Sequence, residues 1–315
     1  TLIATAFCSL FASHAALAKI SPEEAARLGK DLSPIGAEKA ANADGSIPAW
    51  NGGITAAPAG YEPGMHHLDP YATDKVLFTI DKSNVEQYKE MLSPGQVAMF
   101  EAYPDSFKMN IYQTRRSASY PQFIYDATKK YATTAELVEE GNGIKNTAIG
   151  IPFPIPETGL EAIWNHMSRY RGGALERTFV QVPVHENGNF VPVKITEKMS
   201  WPNYLKEGRT EQDDNILFYF VQQIKAPARL TGNVLLVHEA QNQIAKPRQA
   251  WIYNAGQRRV RRAPQIAYDA PGTASDGQRT SDNLDLFNGA PDLYDWKLAG
   301  KEEIYIPYNS YKLAD

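Results

Sequence analysis

From residue 176 onward the chain reads as a series of short strands. Residues 178–185 and 190–198 flank Asn187-Gly188, the dipeptide most favoured in a tight hairpin. Residues 215–224, 230–239, 248–254 and 258–262 follow as further strands. Their connections are too short for crossovers, so successive strands must pair antiparallel as a meander. A sheet wet on one face alternates apolar and polar residues. Ile216-Leu-Phe-Tyr-Phe-Val221 and Val234-Leu-Leu-Val237 are apolar throughout. Both faces of the central strands therefore need cover. Helices from the first half suit one face, and either more protein or a cavity for an apolar ligand suits the other.

The first half reads differently. Ser21-Pro22-Glu23-Glu24 is a capping box opening a short helix that Gly29 ends. Residues 31–73 are rich in Gly, Pro and Ala, and they read as an ordered arm anchored by Trp50, Tyr61 and Tyr71. A strand is predicted at 76–80, helices at 84–92 (capped at Ser83) and 93–103, a strand at 108–115 and a helix or turn cluster at 120–131. Pro152, Pro154 and Pro156 make an extended connector. Thr158-Gly-Leu-Glu161 is a second capping box, leading a helix to about residue 170. Strand character returns at 302–308.

The N-terminus changes the compartment. Residues 1–18 hold no Lys, Arg, Asp or Glu, and the apolar run ends in Ala16-Leu17-Ala18 before Lys19, as in a secretory signal peptide with its cleavage site. The run is shorter than the ~20 residues of a spanning helix. The initiator Met and basic n-region are missing, so the chain is expected to begin inside a precursor. The one cysteine, Cys8, lies in this segment. A mature chain would hold no disulfide, thiolate metal site or cysteine nucleophile, which fits a bacterial periplasm. The net charge of −4 is mixed along the chain, and the single dense basic cluster is a short arginine run, so nucleic acid is not an expected partner.

Candidate chemistry concentrates at Trp251-Ile-Tyr-Asn-Ala-Gly-Gln-Arg-Arg-Val-Arg-Arg-Ala-Pro264, an aromatic strand, a tight turn at Asn254-Ala255-Gly256 and a strand bearing four arginines. Phe218, Phe220, Trp251 and Tyr253 are candidates to line a ligand cavity, with ordinary core as the alternative. Arg258, Arg259, Arg261 and Arg262 are candidates to hold a phosphate or carboxylate head, with Arg259 and Arg261 on one strand face and Arg258, Val260 and Arg262 on the other. The alternative for the arginines is an edge strand whose charges discourage aggregation. His66-His67 lack a third ligand at useful spacing. Asp282, Asp285, Asp292 and Asp295 miss the calcium-loop pattern and suit caps and turns. No nucleophile elbow, zinc-protease helix, phosphate loop or dinucleotide fingerprint is present. Neither an enzymatic activity nor a cofactor is expected.

Leu32-Ser-Pro-Ile-Gly-Ala-Glu-Lys39, Asn42 to Gly53, Trp251 to Pro264 with Tyr268-Asp269, and Tyr294-Asp-Trp296 through Tyr308 resemble an exported bacterial family, domain of unknown function 1329. The arginine hairpin is also similar to that of the lipoprotein-carrier-like proteins. That resemblance implies an α+β fold: a curved antiparallel sheet, an incomplete half-barrel wrapped around helices, enclosing an apolar cavity. It also implies strands beyond Asp315 that would close the half-barrel, so the chain is expected to be truncated. The expected organisation is a signal peptide at 1–18, an N-terminal helix and arm at 19–75, and a single domain at 76–315. The expected function is a periplasmic carrier of an apolar or amphiphilic ligand such as a lipid, either free in the periplasm or associated with the outer membrane. Its partners would be an inner-membrane exporter and an outer-membrane protein. A structural or assembly factor of the envelope without ligand remains open, as does, further off, an ester hydrolase.

Overall fold

A computed structural model of the chain describes residues 20–205, 215–263, 266 and 268–311. The expected signal segment, with Cys8, lies outside these residues, and so do Pro264 and residues 312–315. Two compact units are present. The first comprises residues 126–296 together with the described residues before Leu28. The second comprises residues 28–125 and 297–311. The expected single domain at 76–315 is thus divided between them.

The second unit contains the arm. Strands β1 (Phe78–Ile80) and β2 (Met109–Ile111) pair antiparallel, and helix α2 (Pro94–Ala102) starts from a capping box of Ser93 and Gln96. Helix α1 (Pro22–Ala25), in the first unit, starts from the expected box of Ser21 and Glu24. Ile80, Val85, Leu92 and Phe100 form the second unit's own core. The helix expected at 84–92 is instead two 3-10 turns, Val85–Gln87 and Lys89–Met91. Ser83 bonds to Asp81 rather than capping a helix, and Asn84 provides no side-chain cap. Residues 302–308 form no strand, and Tyr305 gives its N–H to the Met91 carbonyl.

The arm is pinned by backbone polar groups. Arg116 donates to the carbonyls of Glu38, Lys39, Ala40 and Pro48, and Trp50 Nε1 donates to Ala118 O at 3.0 Å. Asn42 Oδ1 accepts from Ile47 N at 2.9 Å, and Asp44 Oδ1 accepts from Ser46 N at 2.9 Å. The motif at 42–53 is therefore a side-chain-closed turn. Gly53 follows with φ +70°, and a Cβ there would sit 2.4 Å from Ala118 O.

The first unit is built on a six-stranded antiparallel sheet in the order β10-β9-β8-β7-β6-β5. Its strands are β5 (Ala174–Gln181), β6 (Val193–Ser200), β7 (Ile216–Ala226), β8 (Val234–Ala240), β9 (Gln249–Asn254) and β10 (Arg259–Arg262). All are sequential neighbours, as the short connections demand except between β6 and β7, where residues 201–215 are long enough for a crossover and the chain still returns to the adjacent position. Asn187-Gly188 turns the β5–β6 hairpin, with Gly188 N donating to His185 O at 2.8 Å. A small hairpin, β3 (Glu136–Val138) with β4 (Gly143–Lys145), and helices α3 (Gln122–Tyr131), α4 (Gly159–Ser168) and α5 (Pro202–Leu205) complete the elements described. The fold class is α+β. Among the described residues no helix is long and apolar enough to cross a membrane.

One face of the sheet is closed. Val193, Ile195, Glu197 and Met199 of β6 and Ile216, Phe218, Phe220, Gln222 and Ile224 of β7 alternate with more exposed neighbours. Met199, Phe218, Phe220, Val237 and Ala250 pack with Trp201 from the chain after β6. Much of the cover comes from the irregular segment after β10, not from the helices of the first half. Ala274 packs on Val193, Ile195 and Ile224, and Ile266 packs on the Phe220 cluster. Helix α4 reaches this side through Tyr204, whose hydroxyl donates to Ser168 O at 3.1 Å.

The cover is fastened by buried polar groups. Arg248 pairs with Glu239 and donates to Ile266 O and Asn288 O, both at 2.8 Å. Gln243 Nε2 donates to Glu239 Oε1 at 2.6 Å. Asp282, only 1% exposed, accepts from Thr280 and Tyr294. That carboxylate staples a turn, the role its residue type favours. Segments without regular structure need such side-chain partners because their backbone groups cannot satisfy one another.

Candidate functional site

Helix and irregular cover lie on one side of the sheet; the opposite face remains partly open. Register places Glu176, Lys198, Val221, Leu236, Trp251 and Arg262 as successive partners across all six strands. This rung is charged at both ends and apolar in the middle. The next rung toward the β7–β8 turn is Thr178, Thr196, Gln223, Val234, Tyr253 and Val260. On the other side Ser200, Tyr219, His238 and Gln249 continue the same face. A cleft of about 470 Å³ opens here, lined in part by Glu176, Lys198, Ser200, Tyr219, Val221 and Leu236.

Aromatic contacts tie the rungs together. Tyr219 meets His238 edge-on at 4.8 Å, and His238 meets Trp251 at 4.9 Å between ring centroids. The Arg262 guanidinium lies 5.9 Å from the Trp251 ring centroid. Such offset contacts hold large flat side chains in place without polar partners. At the far end Lys198 Nζ pairs with Glu176 at 3.0 Å. Burial, followed by the charge of Lys246, holds the His238 imidazole below its ordinary value, so this ring is neutral at pH 7.

The aromatic and arginine candidates singled out in the sequence are divided by the sheet. Phe218 and Phe220 face the closed side, where Phe218 meets Trp201 at 6.1 Å. Trp251 and Tyr253 face the open cleft side, as their pairing with Leu236 and Val234 requires. Arg259 and Arg261 alternate away from them, and Arg261 is opposite Ile252. A turn confined to Asn254-Ala255-Gly256 would have set Trp251 opposite Arg259. The loop instead spans residues 255–258, with Asn254 paired to Arg259 and Asn254 Oδ1 accepting Gln257 N at 2.9 Å. The loop starts one residue later and is one residue longer, which shifts the pairing by three residues, and Arg262 takes the place of Arg259 beside Trp251.

Tyr219, Val221, Leu236, Lys198 and Glu176 were not singled out from the sequence, and Arg262 was read only as one of four candidate arginines, on the face opposite Arg259 and Arg261. The unbroken apolar runs in β7 and β8 signalled that something apolar faced outward, but not which alternate residues did so.

The structural class is thus an α+β protein whose antiparallel sheet is sealed on one face and carries on the other an apolar cleft with the Lys198–Glu176 pair at one end. Residues 79–315 match the family described as "Protein of unknown function (DUF1329)", and the chain belongs to that family. It is similar to "Uncharacterized protein PA3922" of Pseudomonas aeruginosa (strain PAO1), with 55% identity over 299 residues, which is 95% of this chain and 66% of that protein. The chain therefore spans about two thirds of the relative's length. No solved structure matches it.

Proposed function

We propose that the open face of the sheet binds an apolar or amphiphilic molecule, and that the protein carries this ligand in the bacterial envelope. The supporting observation is the rung Val221–Leu236–Trp251, three apolar side chains in register that remain partly exposed. The cleft of about 470 Å³ falls within the roughly 300–1,000 Å³ typical of small-molecule sites. Covering ~200 Å² of apolar surface would contribute about 5 kcal/mol before the costs of association. In this reading the sheet curls as a half-barrel around the ligand. The apolar, small-residue-ended segment before Lys19 supports export to the periplasm. An inner-membrane exporter and an outer-membrane protein would then be the donor and acceptor of the ligand.

Gently purified full-length protein, examined by native mass spectrometry and by titration with a fluorescent fatty acid, tests the proposal. Bound lipid-like mass and saturable probe binding are expected. Leu236→Asp, which sets a charge at the middle of the rung, is expected to weaken the probe by at least about tenfold. Repeated recovery of empty protein, with no probe binding, would refute the carrier reading.

A second reading, an envelope assembly factor that docks another protein, is favoured by one observation. Val180, Val182, Val184, Phe190 and Val191 are exposed together at the end of the β5–β6 hairpin, at the sheet's edge. Apolar patches of this kind commonly mark protein contacts. Stoichiometric co-purification of one envelope protein, lost in Phe190→Asp, would support it. Loss of lipid binding in the same variant would favour the carrier instead.

A further inference from the structure

The open face carries an uneven charge. Lys194, Lys198 and Arg262 project from it, and Lys225 joins them by donating to Gln223 Oε1 at 2.6 Å. Glu176 is the one carboxylate among the described strand residues of this face. The chain as a whole has a net charge of −4, so a cationic face runs against the balance of the molecule. Lys198 is already engaged by Glu176, and Lys225 by Gln223. Arg262 is different. Among the described residues it has no carboxylate partner, and its guanidinium lies over the indole of Trp251. A guanidinium held against an aromatic ring keeps its N–H edge free for a planar anion.

We infer that the ligand of this face is an anionic amphiphile, with its carboxylate or phosphate at Arg262 and its hydrocarbon along Trp251, Leu236 and Val221 toward Lys198. This rests on the carrier reading and narrows it to one chemical class. Four strand spacings separate Lys198 from Arg262, about 19 Å at ~4.8 Å each. That length suits an extended chain of roughly fifteen carbons, and a dodecyl chain reaches from Arg262 past Leu236 to Val221. The apolar middle excludes water from the hydrocarbon, and the arginine compensates the head-group charge at the exposed edge. A cationic amphiphile would meet Arg262 at one end and lysines at the other. A neutral one would gain the apolar contact alone.

Four probes with the same dodecyl chain test the inference on the full-length protein: dodecanoate, dodecyl phosphate, dodecyl maltoside and dodecyltrimethylammonium. Each is titrated below its micellar concentration by calorimetry. At least one anion is expected to bind about tenfold tighter than the neutral probe, and the cation weakest. Preference for dodecanoate over dodecyl phosphate, or the reverse, assigns the head group. Arg262→Gln is expected to abolish the anionic preference and to leave the maltoside affinity within about twofold. Arg262 lies on an exposed strand, and unchanged circular dichroism and melting temperature verify the fold of the variant. Equal binding of anionic and neutral probes would overturn this inference while leaving the carrier reading intact. Loss of the preference in Arg259→Gln in place of Arg262→Gln would overturn the assignment of the head group to this face. Failure of all four probes to bind would overturn the carrier reading and this inference together.

Discussion

Removing the guanidinium that fastens the cover to the sheet, by Arg248→Met, tests how the closed face is held. Arg248 is 9% exposed and Glu239 2% exposed. The substitution leaves the Glu239 carboxylate buried without its counter-charge. It also strips the donors from Ile266 O, Asn288 O and Asn288 Oδ1. Breaking a buried pair from one side costs about 3–5 kcal/mol, mostly the desolvated charge left behind. Gln243 Nε2 still reaches the carboxylate, which favours the lower end of that range. Glu239→Gln combined with Arg248→Met removes the stranded charge, so the double variant is expected to lose at least about 1 kcal/mol less than the two single losses summed. Urea unfolding followed by tryptophan fluorescence measures all four corners of the cycle, with the m-value checked for constancy. Limited proteolysis provides a second readout: Arg248→Met should admit new cuts within residues 268–290. A loss below about 1 kcal/mol for Arg248→Met, or strict additivity in the cycle, would refute the claim that this pair fastens the cover.

Three further outcomes follow from the same geometry. Phe218→Ala, on the closed face beside Trp201, is expected to cost about 3–5 kcal/mol of stability, whereas Trp251→Ala on the open face should cost clearly less and weaken fatty-acid binding; equal stability losses in denaturant unfolding would contradict the assignment of faces. The hydrogen bond to Asp282, assisted by burial and by that carboxylate's charge, pushes the Tyr294 phenol up to about 12. Because the folded-state value lies above the unfolded one, the stabilisation is complete below about pH 10 and is lost as pH rises from there through the folded value near 12. Ultraviolet difference titration should find a late phenolate that Tyr294→Phe removes and Asp282→Asn brings back toward the ordinary range. Gly53→Ala places a Cβ 2.4 Å from Ala118 O at φ +70°, so it should destabilise the arm's unit by at least about 1 kcal/mol, measured as a lowered melting temperature; an unchanged melt would show that the turn can move.

Local signals in the chain were legible where a side chain satisfies a neighbour only a few residues away. The three capping boxes at Ser21, Ser93 and Thr158 start helices in the structure, although the box at Ser93 was legible only as Ser-Pro opening a helix. The helix expected at 84–92 failed because Ser83 bonds to Asp81 and leaves the first turn without its cap. The strand expected at 302–308 has the right residue types but no sheet partner, and composition alone does not supply one.

The sequence by itself determined the order of β7 to β10, because short connections leave a strand no neighbour but the next, whereas the longer segment 201–215 between β6 and β7 left that pairing to the tertiary structure. It also determined that both faces of the central strands would be apolar, since Ile216 to Val221 and Val234 to Val237 contain no polar alternation. Only the tertiary structure decided which face is sealed. That outcome depends on the segment after Arg262 folding back so that Asn288 and Ile266 meet Arg248, contacts made between residues well separated in the chain. It depends equally on the loop between β9 and β10, because side chains alternate with period two and the three-residue shift in pairing, an odd number, exchanges Arg259 for Arg262 beside Trp251.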